Sequence, residues 1–258
     1  MITIDKLCYN SGLRYENAGE KFAFAMITLV LCVMSRSMVI AGIVLAVMGI
    51  LTVWKGRIPL FRYLHFLCIP LVFLLLSTLA IIVNVKKEPL DLFALPLGNW
   101  YITGSMQGFL YALQLILTAL AAVSCLYFLS MNTPMPDILM VLEKLHCPKI
   151  LIELMLLIYR FIFILLDTAY YLSTSQECRL GNRNYRTSLK SFAALCTALM
   201  IRAVKRSNAL YASMEARCYD GTIRVLTEDH PPRKKIIVLI TLFELFLFVL
   251  FIQRRFFL

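Results

Sequence analysis

Gln176-Glu177-Cys178-Arg179-Leu180-Gly181 and Glu215-Ala216-Arg217-Cys218-Tyr219-Asp220-Gly221 each close a long amphipathic stretch, and both lie in the one basic insert of an otherwise hydrophobic chain. Their arginines are the groups best suited to chemistry here, and that chemistry is recognition. Arginine keeps its charge and presents a rigid fork of N–H donors, so a fixed arginine at a helix end suits a carboxylate-lined groove on a partner better than a reacting substrate. The candidate docking set is Arg179 and Arg217 with their flanking Glu177, Glu215 and Ala216 and the closing Gly181 and Gly221. A single such arginine could merely complement a helix dipole or obey the positive-inside rule; the pairing of two motifs favours recognition.

Reactive chemistry has little to work with. Glu153, Arg160 and Asp167 recur every seven residues and so form a charged stripe on one face of a helix. Asp167 and Glu244 are the best acids an enzyme could use, with Arg160 as the helical neighbour of Asp167, yet an acid at a membrane boundary is as easily structural. No G-x-x-x-x-G-K-[ST] run is present to cradle ATP phosphates, and no G-x-S-x-G elbow. His65, His146 and His230 lack metal-ligand spacing, and the eight cysteines contain no C-x-x-C pair. The expectation is no catalytic residue, no metal site and no cofactor in this chain, with the cysteines reading as small buried hydrophobes or reduced thiols.

The elements that position these residues follow from composition. The chain has 258 residues, 60% of them hydrophobic, and its mean hydropathy of +0.79 places it in a bilayer. Met1 to Lys21 is polar and charged, without the apolar core of a cleavable signal, so the first membrane helix is expected to stay in place. Net charge is +11, and fifteen of the twenty-six Lys and Arg residues fall between Asn132 and Lys235. A cytoplasmic loop explains that clustering, and nucleic acid is not an expected partner.

Phe22 to Val53 is apolar except at Ser35-Arg36-Ser37, and about 48 Å of helix is too long for a roughly 30 Å hydrocarbon core, so it should fold back at Arg36. Leu60 to Val85, with Pro70 as a potential kink, Met106 to Met131 and Ile236 to Ile252 are further spans, about five in all. Lys86 to Ser105 reads as an external loop, with Trp100 and Tyr101 at the headgroup level. The expected fold is an all-α integral membrane protein in three parts: an N-terminal membrane domain of about four helices (1–131), a cytoplasmic module of long amphipathic helices (132–235) and a C-terminal span (236–258). Within the module, a short helix over Asp137 to Leu145 precedes one from Cys147-Pro148 to Arg179 and another from Thr187 to Cys218 rich in alanine and serine, which let a second helix approach closely. Ile150 to Leu166 could alternatively cross the bilayer with Glu153 and Arg160 facing a bundle interior.

Ile4-Asp5-Lys6-Leu7-Cys8-Tyr9, Leu13-Arg14, Glu20-Lys21, Ile158-Tyr159-Arg160-Phe161-Ile162-Phe163 and Leu166-Asp167 resemble the transmembrane T component of energy-coupling factor (ECF) transporters, in its cobalt-type CbiQ branch. The most specific stretch, Met214 to Gly221, is similar to that family's Met-x-Ala-Arg-Gly-Tyr-Asp-Gly. Cys218 replaces the glycine after the second arginine, and Leu180 follows the first, so Gly181 and Gly221 are expected to terminate the helices instead. The resemblance implies a coupling subunit in the plasma membrane whose Arg179 and Arg217 dock two cytoplasmic ABC ATPases, which bind ATP and Mg. It also implies a substrate-binding membrane subunit as a further partner beside the lipid bilayer. Cobalt is the implied solute, with nickel or vitamin uptake as the alternatives within the family.

Overall fold

The computed structural model describes residues 3–86, 93–97, 100–104, 106–221 and 231–257. Their order is α1 (Thr3–Tyr9), α2 (Ala18–Ser35), α3 (Met38–Ile50) continued by a π-helical turn (Leu51–Lys55), α4 (Leu60–Ile82), α5 (Met106–Asn132), α6 (Met135–Lys144), α7 (Lys149–Cys178), α8 (Tyr185–Glu215) and α9 (Lys234–Phe257). Three short strands, β1 (Val83–Lys86), β2 (Phe93–Leu97) and β3 (Trp100–Gly104), stand between α4 and α5. They pair antiparallel in the order β1-β3-β2, with Val83 and Phe93 both opposite Gly104. The expected external loop thus holds a small sheet, and the protein is all-α in everything long enough to meet a membrane. The remainder of that loop, the side chains of Trp100 and Tyr101, and residues 222–230 of the linker before α9 lie outside the described residues.

Two compact units divide the chain, Ile2–Ile138 with Glu228–Leu258, and Leu139–Thr227. In the first, Asn17 Oδ1 caps α2 by accepting from the Gly19 N–H at 2.8 Å. The chain then reverses at Arg36, which is left-handed at φ 43°. The fold-back expected from length is therefore real, and the Gln114 amide holds it by donating to the Arg36 carbonyl. Pro70 sits inside an unbroken α4. Small residues at Ala25, Ala41, Ala121 and Cys125 are fully buried and bring α2, α3 and α5 together around Phe24, Val44, Met48 and Phe128. Phe24 and Phe128 meet edge to face, their ring centres 5.7 Å apart. Large apolar side chains such as Val39, Phe61, Phe73 and Leu242 point outward, as lipid contact demands.

A polar knot ties the ends of these helices on one side. Lys21 Nζ donates to the carbonyls of Leu13 (3.0 Å) and Asn132 (3.1 Å), and Ser11 Oγ donates to Asn132 Oδ1 at 2.7 Å. The Gly12 N–H donates to the Gly56 carbonyl. A Cβ at Gly56 would overlap the Thr52 carbonyl oxygen and Asn132 Oδ1, so only glycine fits there. Arg233, at the start of α9, reaches the same side through a 2.8 Å ion pair with Glu16. The start of α2, the end of α3, the end of α5 and the start of α9 are thereby gathered together, as alternating spans require.

Among the described residues, six helices are long and apolar enough to cross a membrane: α2, α3 with its π turn, α4, α5, α9 and also α8. The first five are the expected spans. The sixth, Tyr185–Glu215, falls in the expected cytoplasmic module; part of its alanine-rich sequence is apolar enough to cross, although Lys190, Arg202, Lys205 and Arg206 lie along the helix.

Candidate partner-docking site

The second unit is dominated by α7, of 30 residues, and α8, of 31. Both contain runs of good helix formers without internal glycine or proline, which lets them grow long. Where α7 ends, the Leu180 N–H donates to the Glu177 carbonyl (2.9 Å) and the Gly181 N–H reaches back to the Gln176 carbonyl (2.8 Å). Where α8 ends, Cys218 donates to the Glu215 carbonyl (2.9 Å) and Tyr219 to that of Met214 (3.1 Å). These are two copies of one Schellman turn, with the residue after each arginine left-handed: Leu180 at φ 58° and Cys218 at φ 57°.

This corrects the expectation that Gly181 supplies the stop. The left-handed residue is Leu180, and Gly181 is needed for space instead, because a Cβ there would lie 2.7 Å from Ser191 Oγ and 2.8 Å from the Gln176 carbonyl oxygen. Gly221 does adopt a positive φ, of 89°, but three residues beyond Cys218. Arg179 and Arg217 consequently occupy equivalent positions, each fixed by the turn that follows it. Both are exposed, and among the described residues neither guanidinium has an acceptor. Glu177, Glu215 and Ala216 are exposed beside them. Each site therefore offers an open fork of donors on a hydrogen-bonded backbone.

The two motifs do not lie side by side. Gln176 Nε2 donates to the Ser191 carbonyl (3.0 Å), and Ser191 Oγ donates to the Gly181 carbonyl (3.0 Å), so the end of α7 meets the start of α8. At the other end, the Tyr219 hydroxyl donates to Glu153 Oε2 at 2.8 Å, so the chain leaving α8 meets the start of α7. The helices form an antiparallel hairpin tied at both ends. Arg179 and Arg217 stand at its opposite ends, separated along it by roughly 35–40 Å at 1.5 Å per residue.

Of the charged stripe, Glu153 is half-buried and accepts from Tyr219, whereas Arg160 and Asp167 are exposed. Arg160 and Asp167 make no ion pair with each other, since seven residues put them about two turns apart. Glu153 had a discernible face in the sequence but no discernible partner, because Tyr219 lies 66 positions away. The Glu153 carboxylate holds the Tyr219 hydroxyl above its ordinary value by accepting its proton in a hydrogen bond.

Glu244 is buried in α9 and accepts from Thr28 Oγ1 at 2.6 Å, far in sequence from Asp167. Among the described residues no three His, Cys, Asp or Glu side chains form a group that could hold a metal ion. Burial pushes the Cys8 thiol up to about 12, which keeps it protonated and inert.

A family model described as cobalt transport protein, CbiQ, matches residues 10–228. The cobalt transport protein CbiQ of Salmonella typhimurium is 30% identical over 222 residues, covering 86% of this chain and 98% of that one. An uncharacterised protein of Methanocaldococcus jannaschii is 32% identical over 247 residues, covering 96% of this chain and 91% of its own. A fused cobalt transport protein, CbiMQ, of Methanocorpusculum labreanum is 31% identical across 88% of this chain, which spans 38% of its length. The family match, over residues 10–228, takes in α2 to α8 and both arginine turns, and the chain belongs to the CbiQ cobalt transport protein family.

Proposed function

We propose that this membrane protein is the coupling subunit of an ECF-type importer for cobalt. Two cytoplasmic ABC ATPases, which bind the ATP and Mg, grip the α7/α8 hairpin at Arg179 and Arg217, one at each end. The hairpin passes their approach and separation to a substrate-binding membrane subunit. The observation that carries this reading is the repetition of one rigid turn with one open arginine at both ends of a single hairpin. Two equivalent sites roughly 35–40 Å apart suit two equivalent partners better than one. The fused relative, whose name joins CbiM to CbiQ in a single chain, supports a membrane partner for the subunit.

In this reading α8 is a coupling helix and not a sixth span. It carries Lys190, Arg202, Lys205 and Arg206, and charges at the bilayer centre cost several kcal/mol each, about 2.5–3.5 by insertion scales. The plasma membrane then holds five spans, with the hairpin on the cytoplasmic side and the basic residues of 132–235 obeying the positive-inside rule.

Copurification of the ATPases with the full complex tests the docking. Arg217→Lys keeps the charge and loses the fork, so it should weaken retention; Arg217→Ala should weaken it more, and Arg179→Ala with Arg217→Ala should abolish it. Retention of both ATPases at wild-type levels by the double variant defeats the assignment. Labelling of either arginine turn from outside intact cells would defeat the sidedness.

A further inference from the structure

The chain leaves the membrane unit through the end of α5 and the α6 that follows, and comes back at the start of α9. The departure is held by Lys21. An α-helix running on through Asn132 would give that carbonyl to the N–H four residues ahead, and Pro136 has none. Lys21 Nζ supplies the missing donor at 3.1 Å and ties the same ammonium to the Leu13 carbonyl at 3.0 Å. The Asn132 side chain is fully buried and engaged as well, its Oδ1 accepting from Ser11 Oγ and its Nδ2 donating to the Phe128 carbonyl at 2.8 Å. An ammonium that is only 5% exposed is costly to bury even when hydrogen-bonded, so Lys21 is a poor device for stability alone.

The return is held by the same short segment. Arg233, the residue before α9, donates from its guanidinium to Glu16 Oε1 at 2.8 Å and from its backbone N–H to Glu20 Oε1 at 3.1 Å. The Arg233 side chain is 66% exposed, and exposed ion pairs add little stability. What distinguishes this pair is where it joins the chain. One turn beyond Lys21, the Phe24 ring meets Phe128 of α5 and Phe243 of α9, with ring centres 5.7 and 5.9 Å apart. Thus α2 packs against both spans that flank the inserted hairpin unit, and residues 16–21 grip both of its chain ends.

We propose that the start of α2 is the joint at which the hairpin's movement enters the membrane unit, with Glu16, Glu20 and Lys21 as positioning residues. By holding the end of α5 and the start of α9 to one helix, they make a displacement of the intervening chain carry α2, α5 and α9 together, and keep it from being lost in parting α5 from α9. The proposal rests on the coupling reading above and names the residues by which this chain performs it.

The test is made in proteoliposomes holding the full complex with its ATPases, where cobalt(II) uptake and ATP hydrolysis are read in the same vesicles. Arg233→Glu brings a third carboxylate against Glu16 and Glu20 and breaks the return tie. ATPase retention and the thermal midpoint should stay near wild type, because the pair is exposed, while uptake per ATP hydrolysed falls several-fold. Glu16→Arg combined with Arg233→Glu exchanges the charges of the pair and should recover most of that ratio, which a purely structural role would not do. Lys21→Met keeps the buried stem, removes the ammonium, and should lower the ratio likewise. An unchanged ratio in Arg233→Glu overturns the proposal, as does a charge exchange that recovers nothing. Loss of ATPase retention in Arg233→Glu also overturns it, by placing that residue in docking. Docking is read apart from coupling: wild-type retention in Arg179→Ala with Arg217→Ala refutes the docking reading, whereas intact retention with an unchanged ratio in Arg233→Glu refutes the joint alone.

Discussion

The Tyr219 hydroxyl donates a 2.8 Å hydrogen bond to Glu153 Oε2, and this bond closes the α7/α8 hairpin at the end away from its turn. It joins a residue of the second arginine turn to the charged stripe of the preceding helix. Arg217 is two residues from Tyr219, so the orientation of that fork depends on whether the hairpin's open end is held. The Arg179 end needs no such bond, because Gln176, Ser191 and Gly181 already tie it.

Tyr219→Phe removes the donor while keeping the ring. Amide exchange should accelerate several-fold over the start of α7 and the end of α8, where fraying becomes possible, and stay unchanged around Gly181. ATPase retention should fall in the same variant, and less than in Arg217→Ala. Unaltered exchange at both ends would show that the hydroxyl bond does not hold the hairpin closed.

The same bond gives the hairpin a pH dependence. The hydroxyl is the protonated form, and the Glu153 carboxylate raises its pKa above the ordinary 10.0. A raised value means that the contribution is fully present below the ordinary tyrosine range and is lost as pH rises through the elevated value. Alkaline titration of the tyrosine absorbance should therefore lose a late-titrating component in Tyr219→Phe. Glu153→Gln, with a neutral acceptor, should move that component back toward 10. A Tyr219 that titrates with the bulk of the tyrosines contradicts the bond.

Leu180 and Cys218 occupy backbone conformations that L-residues adopt at a cost of about 1 kcal/mol, one that glycine avoids. Leu180→Gly and Cys218→Gly should each stabilise the hairpin by roughly 0.5–1 kcal/mol, the left-handed preference exceeding the added freedom of the unfolded chain. A β-branched residue at the same sites, as in Cys218→Val, should destabilise it. Thermal unfolding of the detergent-solubilised chain measures both. Destabilisation by both glycine substitutions would mean that the side chains of Leu180 and Cys218 contribute more than the strain they cause.

Much of this architecture was legible in the residues because membranes leave few choices. Hydrophobic runs of span length forced the helices, and a 32-residue run longer than the bilayer forced the reversal at Arg36. The two arginine motifs were legible as helix ends because Gly, Asn and Asp cluster just beyond them. What sequence could not resolve was which residue of each turn goes left-handed, since the preference for glycine is only about 1 kcal/mol and the hydrogen-bond pattern overrides it. The separation of the arginines to opposite ends required knowing that Ser191 and Gln176 meet, a side-chain contact without a local signature. Alanine-rich α8 was ambiguous for a different reason: small residues raise hydropathy and favour helix packing alike, so composition alone admits it as a span. The buried position of Lys21 was equally hidden, because its two carbonyl acceptors come from a loop and from the end of a distant helix.

Glu244 and Thr28 form a long-range polar pair inside the membrane domain, and their bond joins α9 to α2. Thr28 is fully buried, and its hydroxyl also reaches the Phe24 carbonyl at 2.6 Å, so Thr28→Val removes a donor with almost no change of shape. Among the described residues Glu244 Oε2 has no hydrogen-bond partner, and the substitution would leave Oε1 without the Thr28 hydroxyl as well. Interhelical hydrogen bonds within membranes contribute about 0.6 kcal/mol on average and up to about 1.7. Thr28→Val should therefore cost on the order of 1 kcal/mol by reversible unfolding in bicelles, loosening α9 first. In a Glu244→Leu background the same substitution should cost almost nothing, because no carboxyl remains to be left unsatisfied. An equal cost in both backgrounds would assign the effect of Thr28 to packing, and would leave the attachment of α9 to Leu247, the Phe24–Phe243 ring contact and the Arg233–Glu16 ion pair.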